Sequence, residues 1–214
     1  ISAACAGFIF AMNIVEGFFK AGIYKTALII GAETLSKVTD WNDRGTCVLF
    51  GDGAGAAVLK AEETGIIDMM MGADGTKGDV LACTSRTVGN FLTGTKPELG
   101  FMTMDGQEVF KFAVRKVPES VMELLQRTGT KKEDIKYYVL HQANERIIEA
   151  AARRLNEPME KFPMTIGQFG NTSTASIPLL LDDMIQKDML KRGDKIIMSG
   201  FGAGMTWGAV LMEW

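Results

Sequence analysis

Cys5 sits in Ile1-Ser2-Ala3-Ala4-Cys5-Ala6-Gly7-Phe8, where a short apolar run gives way to an amphipathic helix. Small neighbours let a backbone or a substrate come close. A helix N-terminus lowers a thiol's pKa through the partial positive charge of its unpaired N–H groups. This is the setting of a nucleophile. His141, the single histidine of the chain, follows the apolar stretch 137–140, the place where α/β folds hold ligand-binding groups. A lone histidine is more commonly a satisfied structural residue, and the cysteine and a Gly-Asn pair in the same chain shift that balance. Asn171, between Gly170 and the small Thr172-Ser173, reads either as a helix N-cap or as a ligand contact, and both roles are compatible.

The glycine runs at 51–55 and 200–204 lack the Rossmann and P-loop patterns. They read as close-packed turns before strands. Their N–H groups could form an oxyanion hole, and tight packing is at least as good a reading for 51–55. No cluster has metal-ligand spacing, so no metal is expected. Lys111, Arg115 and Lys116 form one basic group; Arg146, Arg153 and Arg154 share a helix face just past His141. Charge on a helix is usually a solvated face, although two basic groups in an acidic protein can also mark the dock of an acidic partner.

The elements that must position these groups follow from periodicity. Phe8, Ala11, Met12, Val15, Phe18 and Phe19 have helical spacing, with Gly22 as a stop. Strands are expected at 26–31, 56–59, 66–71, 137–140, 195–199 and 205–213. Helices are expected from about 106, with Pro118 as a kink or a new start, at 144–155, and from 170–173 onward. The long Gly- and Thr-rich stretch 74–100 reads as a binding loop or lid. A helix, a strand, a glycine run and a strand occur in that order after Cys5 and again after Asn171, which suggests a duplicated α/β fold. The expected boundary separates 1–64 from 65–214.

Composition sets the frame. With 214 residues and 47% hydrophobic content, the chain can bury a sizeable core. A net charge of -3 offers no global field for nucleic acid. Three cysteines without CxxC spacing suit reduced thiols and a cytoplasmic setting. No apolar run is long enough to span a bilayer. The chain opens on Ile1, which reads as the middle of a strand, so a piece of a longer protein is expected.

Ala3-Ala4-Cys5-Ala6-Gly7-Phe8, Asp43-Arg44-Gly45, Phe50-Gly51-Asp52-Gly53-Ala54-Gly55-Ala56, His141-Gln142-Ala143-Asn144, Gly170-Asn171-Thr172-Ser173 and Phe201-Gly202-Ala203-Gly204-Met205-Thr206-Trp207-Gly208 together resemble β-ketoacyl-[acyl-carrier-protein] synthase III. That family initiates bacterial type II fatty acid synthesis on a thiolase-like, duplicated α-β layered fold, and it has an N-terminal third that this chain lacks. The resemblance implies a Cys5, His141 and Asn171 triad, with Cys5 taking an acyl group from acyl-CoA. The N–H groups of Cys5 and Ala203 would hold the oxyanion, Ala203 standing where the family often has Gly. His141 and Asn171 would then hydrogen-bond the thioester of malonyl-[acyl-carrier-protein] as carbon dioxide leaves, with Phe201 beside the malonyl carboxylate. Arg44 would lie near the CoA adenine. Gly106, Gln107 (usually Asn in the family) and Phe110 would line the pantetheine tunnel. Lys111, Arg146 and Arg153 would dock the acyl carrier protein.

The resemblance further implies no cofactor beyond the CoA thioester substrate, a homodimer at full length, and an inactive polypeptide in isolation. It leaves the nucleophile's own strand as the least anchored part of the site. Alternatives are a polyketide condensing enzyme of the same fold, a papain-like cysteine hydrolase, whose C-G-[SA]-C-[WY] pattern is absent, and a non-catalytic acyl-binding scaffold.

Overall fold

A computed structural model describes residues 1–83, 89–96 and 100–214. The stretch 74–100, expected as a binding loop or lid, therefore falls partly outside the described residues. A 3₁₀ turn (Ala4–Ala6) leads into α1 (Gly7–Lys20), whose inward face is Phe8, Ile9 and Met12. The chain turns at Gly22, where φ is +69°, and enters β1 (Thr26–Glu33). After an exposed loop come β2 (Gly53–Lys60) and β3 (Ile66–Ala73). A 3₁₀ segment, β4 (Leu81–Cys83) and β5 (Met102–Met104) lead to α2 (Gly106–Thr128), capped by Asp105, whose Oδ1 accepts the N–H groups of Gln107 and Glu108. Next come β6 (Ile135–Leu140), α3 (Glu145–Leu155) and the short α4 (Ile166–Phe169). α5 (Ser176–Gln186), β7 (Lys195–Gly202) and β8 (Thr206–Glu213) complete the chain.

β3, β8, β7 and β6 lie in that order in one sheet, parallel only between β6 and β7. Side chains alternate across a strand, so β7 feeds two cores. Ile196 and Met198 pack with Phe8, Ile9, Met12, Ile177, Leu180 and Met184 from α1 and α5. Ile197 and Phe201 pack with Phe112, Val117, Leu124 and Ile148 from α2 and α3. Each such fully buried side chain contributes roughly 1.5–3 kcal/mol of transfer free energy. The antiparallel β1–β2 pair covers the other side of α1 and α5 through Ile29, Ala57 and Leu59, leaving Leu28, Ile30 and Val58 exposed.

Three expectations change. The glycine runs are not simply turns: Gly53 and Gly55 belong to β2, and Gly200 and Gly202 to β7, with no room for a Cβ at Gly55 or Gly202. α2 runs through Pro118 as a single helix. Proline cannot donate to the Val114 carbonyl four residues back, and Arg154 from α3 donates to it instead, at 2.7 Å. Asn171 does not cap α5, whose N-cap is Ala175; its side chain starts a 3₁₀ turn (Ser173–Ala175) ahead of the helix.

Candidate active site

Cys5 is buried at the N-terminal approach to α1. Ala4 before it has φ of +45°, a left-handed conformation that a residue with a Cβ holds only under constraint. The constraint is visible: Thr174 Oγ1 donates to the Ala4 carbonyl at 2.6 Å, and Thr206 Oγ1 to the Ala3 carbonyl at 3.0 Å. Behind the turn, the end of β7 comes so close that a Cβ on Gly202 would lie 2.6 Å from the Cys5 nitrogen. From Ala3 onward the approach to Cys5 is thus tied down.

The expected low thiol pKa is also overturned. Burial pushes Cys5 up to about 11, and a Glu33 carboxylate adds to the rise. A side-chain hydrogen bond with Ser173 and the turn's own backbone act in the opposite direction without compensating. Desolvation disfavours the thiolate and dominates here.

His141 follows β6, its N–H donating to the Ser199 carbonyl at 2.8 Å and so extending the β6–β7 ladder. Its ring is buried, meets Phe201 edge-on with centroids 5.5 Å apart, and has Nδ1 2.6 Å from Ser176 Oγ. Burial lowers its pKa to about 3, so the imidazole is neutral at ordinary pH. Gln142 fixes the following turn: its Nε2 donates to the Leu140 carbonyl and its Oε1 accepts the Thr165 N–H.

Asn171 is held by its main chain. Its N–H donates to the Leu49 carbonyl at 2.8 Å, and its carbonyl accepts the Gly51 N–H at 2.9 Å. Gly51 is required at this crossing, since a Cβ there would lie 2.1 Å from the Phe169 carbonyl oxygen. Packing is thus what the run 51–55 does. The side-chain Oδ1 accepts the Ser173 N–H at 2.9 Å, which orients the amide and leaves its Nδ2 protons for another acceptor. Ser173 therefore links Asn171 to Cys5, as the end of β7 links His141 to Cys5 through Phe201 and Gly202.

A cavity of about 570 Å³ opens on Cys5, with Ala203, Leu35, Phe50, Leu81 and Met102 among its walls. His141 and Asn171 do not line it. Ala203 keeps out of the left-handed region, so a Cβ is accepted there without strain. Arg44 is exposed on a turn that Asp43 stabilises by accepting the Gly45 N–H and the Thr46 hydroxyl; those bonds hold the Asp43 carboxyl below its usual range. Gly106, Gln107 and Phe110 lie exposed on the first turns of α2, outside the cavity walls. Lys111 pairs with Glu108 at 2.9 Å and Arg153 with Glu149 at 3.7 Å, while Arg146 is exposed one turn into α3. Among the described residues no His, Cys, Asp or Glu group is placed to hold a metal, and no helix is long and apolar enough to cross a membrane.

Sequence reasoning did not single out Thr174, Ser176 and Thr206. The hydroxyl-rich run Thr172-Ser173-Thr174-Ala175-Ser176 carried the signal for the first two, since so many hydroxyls at a helix entrance exceed what one cap uses.

The α1–β1–β2 and α5–β7–β8 units repeat one order of elements, and the 3₁₀ turns that lead into α1 and α5 lie in contact, which is a thiolase-like fold. Residues 1–75 match the family model for 3-oxoacyl-[acyl-carrier-protein (ACP)] synthase III, and residues 125–214 match the model for the C-terminal part of that enzyme. The β-ketoacyl-[acyl-carrier-protein] synthase III of Clostridium novyi is 51% identical, over all of this chain and 67% of its own length. That of Clostridium acetobutylicum is 50% identical, over all of this chain and 66% of its own. The crystal structure of the Pseudomonas aeruginosa 3-oxoacyl-(acyl carrier protein) synthase III superposes with a TM-score of 0.94 at 38% identity, covering all of this chain and 66% of that one. The chain belongs to the β-ketoacyl-[acyl-carrier-protein] synthase III family and spans about two thirds of the length of the curated relatives it matches.

Proposed function

We propose that the full-length protein condenses an acyl-CoA primer with malonyl-[acyl-carrier-protein] and so starts fatty acid synthesis. The observation that carries this reading is the cavity on which Cys5 and Ala203 stand together, with apolar walls suited to a short acyl chain. In the first step the Cys5 sulfur attacks the acyl-CoA carbonyl, and the bond from that carbon to the CoA sulfur breaks. CoA leaves with the proton that Cys5 gives up. The N–H groups of Cys5 and Ala203 hold the oxyanion, and donors aimed at charge that develops only in the transition state lower the barrier.

In the second step the bond between the malonyl carboxylate and its neighbouring carbon breaks. Carbon dioxide departs and the electron pair stays behind as an enolate. Neutral His141 and Asn171 Nδ2 donate hydrogen bonds to the enolate oxygen. Phe201 keeps the malonyl carboxylate's surroundings apolar, which disfavours its charged form. The enolate carbon then attacks the acyl group on Cys5, and the released thiolate takes up a proton.

Arg44 would reach the CoA adenine, with Gly106, Gln107 and Phe110 beside the pantetheine. Lys111 on α2 and Arg146 and Arg153 on α3 would receive the acidic carrier protein. The setting proposed is a cytoplasmic homodimer, with this polypeptide by itself inactive. The test is carbon dioxide release from malonyl-[acyl-carrier-protein] in the presence of acetyl-CoA, with His141→Ala and Asn171→Ala each expected to lower it by about 10²–10³. Release that ignores both substitutions, or peptide cleavage in its place, would remove the reading.

A further inference from the structure

Neutral imidazole carries one N–H, and the chemistry open to His141 depends on which nitrogen holds it. Nδ1 faces a single partner, Ser176 Oγ, at 2.6 Å. Ser176 is the first residue of α5 and is 2% exposed. Its Oγ also receives the Gln142 N–H, at 3.4 Å, and among the described residues it has no third partner.

Two arrangements satisfy these contacts geometrically. If Nδ1–H donated to Ser176, the hydroxyl would accept two N–H groups and its own proton would be buried without an acceptor. Nε2 would then be a bare lone pair, unable to donate to anything. If Ser176 instead donates to Nδ1, each contact has one donor and one acceptor, and the proton resides on Nε2. We propose that Ser176 is a positioning residue: by accepting the Gln142 N–H and donating to Nδ1, it fixes His141 as the tautomer with a hydrogen-bond donor at Nε2.

The consequence for catalysis rests on the condensing reading given above, in which His141 must donate to the enolate oxygen. Ser176 thereby does with a neutral hydroxyl what a carboxylate does beside a catalytic histidine elsewhere, without attracting a second proton to the ring. A carboxylate would favour imidazolium; the hydroxyl leaves the ring neutral. The α5 entrance would supply two positioned donors, Asn171 directly and His141 through Ser176.

His141 is the single histidine of this chain, and ¹⁵N-histidine labelling of the full-length protein, with His141→Gln to assign the signal, reads its imidazole. The expected spectrum at neutral pH shows the proton on Nε2 and an unprotonated Nδ1. Ser176→Ala should give a mixture of tautomers and lower malonyl-dependent carbon dioxide release in the full-length protein by about 10- to 100-fold, less than losing an oxyanion donor outright. Acetyl transfer to Cys5 should change little. Ser176→Thr, which keeps the hydroxyl, should restore both tautomer and rate. A wild-type proton on Nδ1 would overturn the proposal even if Ser176→Ala did not fold. So would a Ser176→Ala ring that keeps the wild-type tautomer, or one whose tautomer changes with no loss of carbon dioxide release. Absence of that release in the wild type would instead remove the condensing reading, while the spectrum would still judge Ser176.

Discussion

The two helix-and-strand-pair units, α1–β1–β2 and α5–β7–β8, use the same order of elements and are buried to different depths. β7 is covered on both faces along nearly its whole length, whereas β1 and β2 alternate between covered and exposed. The contrast separates tasks. The first unit, with the Cys5 turn ahead of it and the loop between its strands, forms most of the walls of the cavity. The second brings Asn171 and Ser176 at its helix entrance, and through the end of β7 it presses on the Cys5 backbone. The more deeply covered unit carries Asn171 and Ser176, and the more open one borders the cavity.

Gly202 and Gly53 break this comparison most sharply. Gly202→Ala places a Cβ 2.6 Å from the Cys5 backbone nitrogen and should cost about 1–3 kcal/mol of stability by denaturant unfolding. Gly53→Ala meets only the Leu179 and Thr172 side-chain ends, at 3.0 and 3.1 Å, and should cost less than half as much. Equal losses would mean that the two units are equally confined.

The buried ring of His141 gives the next effect. Its pKa is about 3 in the folded protein and 6.5 in the unfolded chain. Between those values the unfolded chain binds a proton that the folded one refuses, so stability falls as pH drops below 6.5. Relative to His141→Gln, the wild type should lose up to about 1.4 kcal/mol for each pH unit in that window. Parallel pH curves would show a ring in contact with water. The smallest effect is expected at Ile30, 61% exposed on β1 at the cavity, where Ile30→Ser in this chain should stay within about 0.5 kcal/mol of wild type.

Much of this was legible in the sequence, and the misses share a cause. Helical spacing located α1 and α3, and the sequence motifs marked Cys5, His141 and Asn171, of which Cys5 lines the cavity. What stayed hidden depends on partners far along the chain. The unbroken course of α2 past Pro118 needs Arg154, forty residues away from the carbonyl it satisfies. Glycine is a poor strand former, so 51–55 and 200–204 read as turns; Phe169 at Gly51, Pro178 at Gly55 and the Cys5 turn at Gly202 leave no room for a Cβ there. The Cys5 pKa went the wrong way for the same reason, because a local motif reports the helix terminus and not the burial. Ser176 becomes meaningful only beside a ring 35 positions earlier.

The central claim is that Cys5, a neutral thiol in a closed turn, is the acyl acceptor. Mass spectrometry of the full-length protein after incubation with acetyl-CoA tests it directly. The account predicts one acetyl group on the peptide containing Cys5, none on those containing Cys47 or Cys83, and loading that quickens as pH rises toward the thiol's value of about 11. An acetyl group on another residue, or none on Cys5 at any pH where the protein stays folded, would contradict it.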